Sequence, residues 1–397
     1  MPDLRWLAFC GLIMPACVQA QTYIPESAET VLATLPDTDP SLTDDIRRLQ
    51  QAVAEQPDSV ELRVRLAEHH IALYRQTDDP RYNGYAQAAI APWREDVDAP
   101  TRVLLIRAHL NQQRHAFALA RADLQLALER DPRNAQAWLA LSVVERVSGR
   151  LANAHKACAA LLTLTETLVS GTCLADIASL AGKAPEAFAT LDRLLQAESV
   201  DSADHLRRWA LTIQGEVAWR LGEPELALQA FEAGLALAAA NEQFDGYLLS
   251  AWADFMLEQG RAQAVDRRLE PYDQSDALLL RRAIAAKRIN HPNAGAMADT
   301  LRRRFAASQR RGDDVHLREQ ARFALDIDNK PSEALWLAQR NWAMQKEPAD
   351  VLLVLRAALA FNPAAADPVV AFVSETGLQD VRVQTLLERL GDTDAAA

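Results

Sequence analysis

The sequence predicts an all-α solenoid of antiparallel helix pairs, on three observations. Tight-turn positions recur at His115, Gly149, Gly182, Gly222 and Gly260. Intervals of roughly 33–40 residues are those of one helical hairpin, which hides its apolar face only by packing on its neighbours. Apolar residues come at three- and four-residue spacing, and alternating runs are scarce. The composition is 49% hydrophobic but only 6% aromatic, with 14 Gly in 397 residues, so the buried faces must be built largely from Ala and Leu. Such a length would ordinarily suggest two or three domains, but a solenoid grows by addition and stays one unit.

The N-terminus reads as an export signal. Arg5 precedes an apolar run from Trp6 to Val18, and Val18-Gln19-Ala20 supplies small residues for cleavage after Ala20. Residues 1–20 are thus expected to be a signal peptide and the mature chain to be periplasmic. A lipid anchor on Cys17 is the alternative, although Met14-Pro15-Ala16 lacks the usual Leu three residues before the cysteine. No later run of about 18 apolar residues predicts a transmembrane helix. Residues 21–43, with Pro25, Pro36 and Pro40, read as a leader arm. The repeat occupies 44–270, divergent hairpins with a capping helix Val381–Leu390 occupy 271–390, and 391–397 reads as a disordered tail.

Within the repeat, one unit carries Leu104, Ala108, Ala120, Leu124 and Ala127 and closes at Asp131-Pro132. The next carries Trp138, Leu141, Ser142, Ala154, Cys158 and Leu161, and the unit around Gly222 carries Leu211, Gly215, Ala218, Ala227 and Phe231. Small residues at these places let two helices cross closely. Pro185, Pro224 and Pro331 each follow a turn and open a helix, where a missing N–H costs nothing. Turns near Pro292, Asn329 and Asn362 keep the period in the last third, without the Gly and the first-helix aromatic.

The stretch Gly215-Glu216-Val217-Ala218-Trp219-Arg220-Leu221-Gly222-Glu223-Pro224-Glu225-Leu226-Ala227-Leu228 resembles the tetratricopeptide repeat. In that family Trp, Leu, Gly and Tyr in one helix and Ala, Phe and Pro in the next recur about every 34 residues. The resemblance covers about Asp44 to Glu270. It implies a right-handed superhelix whose first helices line a concave groove. The groove positions it implies are Arg146, Trp209, Glu216, Trp219, Arg220, Tyr247, Asp254 and Glu258. Aromatics with Arg are enriched in binding hot spots, so the groove is expected to hold a peptide or protein partner, or a sugar polymer. Exported proteins similar to this one serve as scaffolds in the bacterial cell envelope, which is the function the resemblance implies.

Two further features stand apart. Cys158 and Cys173 are the cysteines left after signal cleavage, on two antiparallel helices across a short connection. They read either as a disulfide or as two small buried residues, and export favours the bridge. Between residues 281 and 311 there are nine Arg or Lys and one acid, Asp299, in a chain of net charge -12. Arg281, Arg282, Arg288, Arg303, Arg304, Arg310 and Arg311 would form basic stripes for an anionic polysaccharide or lipid surface. The competing reading is a solvated face balanced by Glu270, Asp273, Asp276, Asp313 and Asp314.

Catalytic constellations are nearly absent from the sequence. Glu68-His69-His70 lacks the HExxH spacing for zinc. Asp326-Ile327-Asp328-Asn329 begins like a calcium loop but lacks the central Gly, and Leu337 replaces its closing Glu. Glu26-Ser27, considered as a lyase acid, has no lysozyme-like surroundings. No nucleophile elbow, phosphate loop or dinucleotide fingerprint occurs. The expectation is a binding protein with no enzymatic activity, metal or cofactor, and the acidic net charge argues against nucleic acid.

Overall fold

The computed structural model describes residue 27 and residues 40–197, 203–311 and 316–396. The expected signal peptide with Cys10 and Cys17, Glu26, and the leader arm before residue 40 apart from Ser27 lie outside the described residues, as do Asp313 and Asp314. The described residues from 40 onward form one compact unit.

The described residues hold twenty α-helices and no strand. In chain order they are α1 Pro40–Glu55, α2 Val60–Thr77, α3 Arg81–Ala89, α4 Thr101–Gln113, α5 Phe117–Arg130, α6 Ala135–Val147 and α7 Leu151–Ala160. Next come α8 Thr167–Leu180, α9 Ala184–Ala197, α10 Asp204–Leu221, α11 Pro224–Ala240, α12 Gly246–Glu258, α13 Ala262–Leu269 and α14 Asp276–Arg288. The last are α15 Ala294–Arg311, α16 Leu317–Asp326, α17 Pro331–Met344, α18 Pro348–Phe361, α19 Asp367–Thr376 and α20 Val381–Ala396. Two ends differ from expectation. Helix α1 starts at Pro40 rather than Asp44. Helix α20 runs on to Ala396, past the expected end at Leu390, because one interior Gly391 costs only about 1 kcal/mol. Among the described residues no helix is long and apolar enough to cross a membrane.

The even-numbered helices from α2 to α20 pack on one another in succession and form an inner layer, while each odd-numbered helix from α3 to α19 backs its even predecessor on the outside. The turn from inner to outer helix needs one residue in the left-handed region, and the chain supplies it eight times in a row. Asp78, His115, Gly149, Gly182, Gly222, Gly260, Asn290 and Asn329 all have φ between 53 and 79°. After six of these the following N–H bonds back to the carbonyl five residues earlier, as in Ala116 to Asn111 and Glu223 to Ala218, which closes the helix end with a Schellman bond. Asn290 and Asn329 take the place of Gly in the last third, so the hairpin device continues where the family-like pattern fades.

Close crossings explain the small residues. A Cβ on Gly215 would sit 2.8 Å from the Phe231 ring, so α10 and α11 meet at a distance only Gly permits. The core is a string of clusters along the solenoid rather than one centre, as expected when each hairpin covers its neighbour.

The superhelix closes on itself. The turn after α2 meets the start of α14, where the Ser275 hydroxyl donates to Asp78. The turn after α6 meets the start of α18, where Lys346 N–H donates to Val147 C=O at 2.8 Å. The turn after α8 meets the start of α20, where Ala184 N–H donates to Gln379 Oε1 at 3.0 Å. Each partner lies twelve helices on, so six hairpins complete one superhelical turn and the second turn stacks on the first. Apolar residues cross this seam as well: Leu180 of α8 belongs to the core cluster of α16 to α20.

Candidate functional site

The inner helices surround a central cavity of about 1710 Å³, and every even-numbered helix from α2 to α20 contributes to its wall. Ten arginines and ten carboxylates line it, so the wall is close to neutral in a chain of net charge -12. Between them stand Tyr74, Trp219, Phe244 and Tyr247.

Charge is held on this wall by matched pairs. Arg146 reaches Asp176 at 3.4 Å and Glu347 at 3.0 Å across the seam. Burial opposes the Arg146 guanidinium, but those two carboxylates outweigh it and raise its pKa above the ordinary arginine value. Arg318 holds Glu347 at 2.6 Å and grips Asp350 through both Nε and Nη2, at 2.6 and 2.7 Å. Burial would raise the Glu347 carboxyl, yet Arg318 and Arg146 pull it down to about 2. Glu347 and Asp350 also cap the start of α18 reciprocally. Asp254 sits between Arg281 and Arg322, each at 2.7 Å, which lowers its pKa against the burial that would raise it.

One face is aromatic. Arg382 of α20 lies over the Trp219 ring, 3.8 Å from its centroid, and the indole N–H donates to Glu258 at 3.0 Å. The Tyr247 hydroxyl donates to Glu216 at 2.7 Å; enclosure inside the coil, away from bulk water, raises the pKa of both groups, and each acts on the other. Tyr247 is 51% exposed, with that surface turned to the cavity. Arg220 is 5% exposed, donates to the Ser179 hydroxyl at 2.6 Å and keeps its Nε without a partner.

Seven of the residues singled out in the sequence, Arg146, Glu216, Trp219, Arg220, Tyr247, Asp254 and Glu258, lie on this wall, and the eighth, Trp209, lines a smaller pocket beside it. Of the wall that the second superhelical turn supplies, sequence reasoning named Arg281 and Arg288, though for a basic stripe, and missed Arg318, Glu319, Arg322, Glu347, Arg356 and Arg382. The Glu347-Pro348-Ala349-Asp350 cap was a legible helix start, but nothing in the local sequence says that α18 and α20 return to the first turn.

The expected basic stripe is not a stripe. Arg281 is buried against Asp254, and Arg282 is buried against Asp266 at 3.1 Å and Asp273 at 2.6 Å. Arg288 donates to Leu257 C=O at 2.5 Å, and Arg304 pairs with Asp276 at 2.8 Å. Arg303 is exposed and donates to Thr300 Oγ1 at 3.1 Å, Arg310 is exposed, and the Arg311 side chain lies outside the described residues. Asp273 and Asp276 are the balancing acids the competing reading named, while Asp254 and Asp266 come from α12 and α13, outside the window it counted. The calcium-like run is spoken for too: Asp326 accepts from Arg356, and Asp328 pairs with Arg302 at 2.7 Å.

Cys158 and Cys173 are joined as a disulfide, with Cα atoms 5.5 Å apart, tying α7 to α8.

No family model matches the sequence, and no curated protein matches it. Among solved structures, a tetratricopeptide repeat protein from Parabacteroides merdae is 15% identical over 65% of this chain and 98% of its own, with a TM-score of 0.38. A Rap protein complexed with competence and sporulation factor is 12% identical over 89% of this chain and 97% of its own, with a TM-score of 0.46. Yeast Tom70 is 11% identical over 90% of this chain and 85% of its own, with a TM-score of 0.39.

Proposed function

We propose that the chain is an exported, non-catalytic binding scaffold of the bacterial cell envelope that takes an extended segment of a protein partner into its central cavity. The cavity itself carries the reading. At about 1710 Å³ it exceeds the ~300–1,000 Å³ typical of small-molecule sites, and its wall alternates donors, acceptors and aromatic faces. A polypeptide offers the same mixture along its length. The wall's cations are matched by carboxylates, which disfavours a polyanion, and of the stripe that would have bound an anionic polymer or lipid Arg281, Arg282 and Arg304 are held in internal ion pairs. Export is supported by the apolar run from Trp6 to Val18 and by the bridge between Cys158 and Cys173, which persists in oxidising compartments.

The test is photo-crosslinking in intact cells with p-benzoylphenylalanine at Tyr247, which faces the cavity, and at Leu119, which is 59% exposed on the outer helix α5. A discrete polypeptide adduct at Tyr247 that is absent at Leu119 is the expected result. No adduct at Tyr247, or the same adducts at both, overturns the cavity as the binding site. The mass of the recovered protein tests export, since processing leaves Gln21 as the first residue.

A further inference from the structure

A smaller pocket of about 300 Å³ opens between α6, α8, α10 and the start of α12. Arg146, Asp176, His205, Asp245 and Tyr247 line both spaces and form its mouth onto the cavity. The interior is apolar, walled by Val143, Cys173, Ile177, Trp209 and Ile213. Its three hydroxyls are already committed: Ser142 donates to Leu139 C=O and Thr212 to Arg208 C=O, each within its own helix, and Tyr247 at the mouth donates to Glu216. That leaves no free hydroxyl donor for a sugar.

An apolar interior behind a charged mouth suits one large apolar side chain whose backbone remains outside. We propose that this pocket anchors an aromatic side chain of the polypeptide segment held in the cavity, and so sets which segment is taken; the inference rests on the polypeptide reading above. The volume lies at the lower end of small-ligand pockets, enough for a single side-chain group. Trp209 offers an aromatic partner for offset or edge packing, and the Cys173 sulfur offers a polarizable contact. The mouth presents both signs, with Arg146 beside Asp176 at 3.4 Å and Asp245 held by Arg208 at 2.8 Å. Such a pair meets the C=O and N–H groups that flank an anchored residue.

The test uses the full chain labelled with 5-fluorotryptophan, with the Trp209 resonance assigned from Trp209→Phe. N-acetylphenylalaninamide is the probe and N-acetylasparaginamide the control. The phenylalanine compound should shift the Trp209 resonance saturably with a Kd of about 1 mM, the affinity expected for a fragment of that size. Val143→Phe, which fills the pocket, should weaken this at least about tenfold while the resonance of the buried Trp252 stays in place. Ile177→Phe serves the same purpose if Val143→Phe fails to fold. No shift at Trp209, an equal shift with the asparagine compound, or a shift that survives filling overturns the anchor. A saturable shift with no polypeptide crosslinked at Tyr247 retains the aromatic pocket and overturns the polypeptide reading. A crosslink without a shift overturns the pocket alone.

Discussion

At the scale of residues, Glu347 is the point where the two superhelical turns share charge, held by Arg318 at 2.6 Å and Arg146 at 3.0 Å. Its carboxyl is drawn from 4.5 down to about 2. A carboxylate with a depressed folded-state pKa contributes stability that is present above its unfolded value and lost as pH falls through its folded value. The loss should therefore fall between about pH 4.5 and 2, moderated by Asp350, whose raised pKa acts in the opposite direction. Glu347→Gln should be less stable than the parent at pH 7, and the gap should narrow as pH falls across that window. Urea midpoints at pH 7, 4.5, 3 and 2.5 check this; a constant gap would mean that the carboxylate is not ionised against its partners. The sequence placed Arg146 on the wall through a repeat position. It could not name Glu347 as its partner, because the end of α6 and the start of α18 meet only once the superhelix closes.

At the scale of elements, the hairpins were readable because the left-handed turn is sterically demanding and Gly marks it. Where Asn took that role, at Asn290 and Asn329, the period survived while the family-like pattern did not. The covalent tie between α7 and α8 was readable as a possibility from two cysteines on neighbouring helices. A loop of about 15 residues constrains the unfolded chain by about 3 kcal/mol on the chain-entropy model. Replacing both cysteines by Ser should cost about that much, and in a solenoid the loss should be local. Hydrogen exchange is expected to quicken in α7 and α8 and to stay unchanged in α14. Uniform quickening would show that the bridge supports the whole coil rather than one hairpin.

At the scale of the whole molecule, the seam decides whether the chain behaves as a linear array. An open solenoid has stability that is nearly a sum over neighbours, but here the turn after α8 meets the turn before α20 and α10 packs on α20 itself. Gly182 lies at that contact with φ 76°, and a Cβ there would stand 3.0 Å from the Gly377 carbonyl oxygen, so that the backbone on the far side of the seam would have to give by a few tenths of an ångström. Gly260 has nearly the same conformation, φ 71°, with nothing within 4 Å of the Cβ position. Alanine at either site bears the left-handed cost of about 1–2 kcal/mol, so the pair isolates the seam from the backbone term. Gly182→Ala should loosen the seam at this end, speeding exchange in α19 and α20 and raising the radius of gyration in small-angle scattering if the second turn then parts from the first. Gly260→Ala should do neither. Because α20 supplies Arg382 to the Trp219 face, the same substitution should also remove that cation from the cavity wall. If both variants keep the parent radius and exchange pattern, the stacked turns contribute little, and the cavity is held by the inner helices of each turn separately.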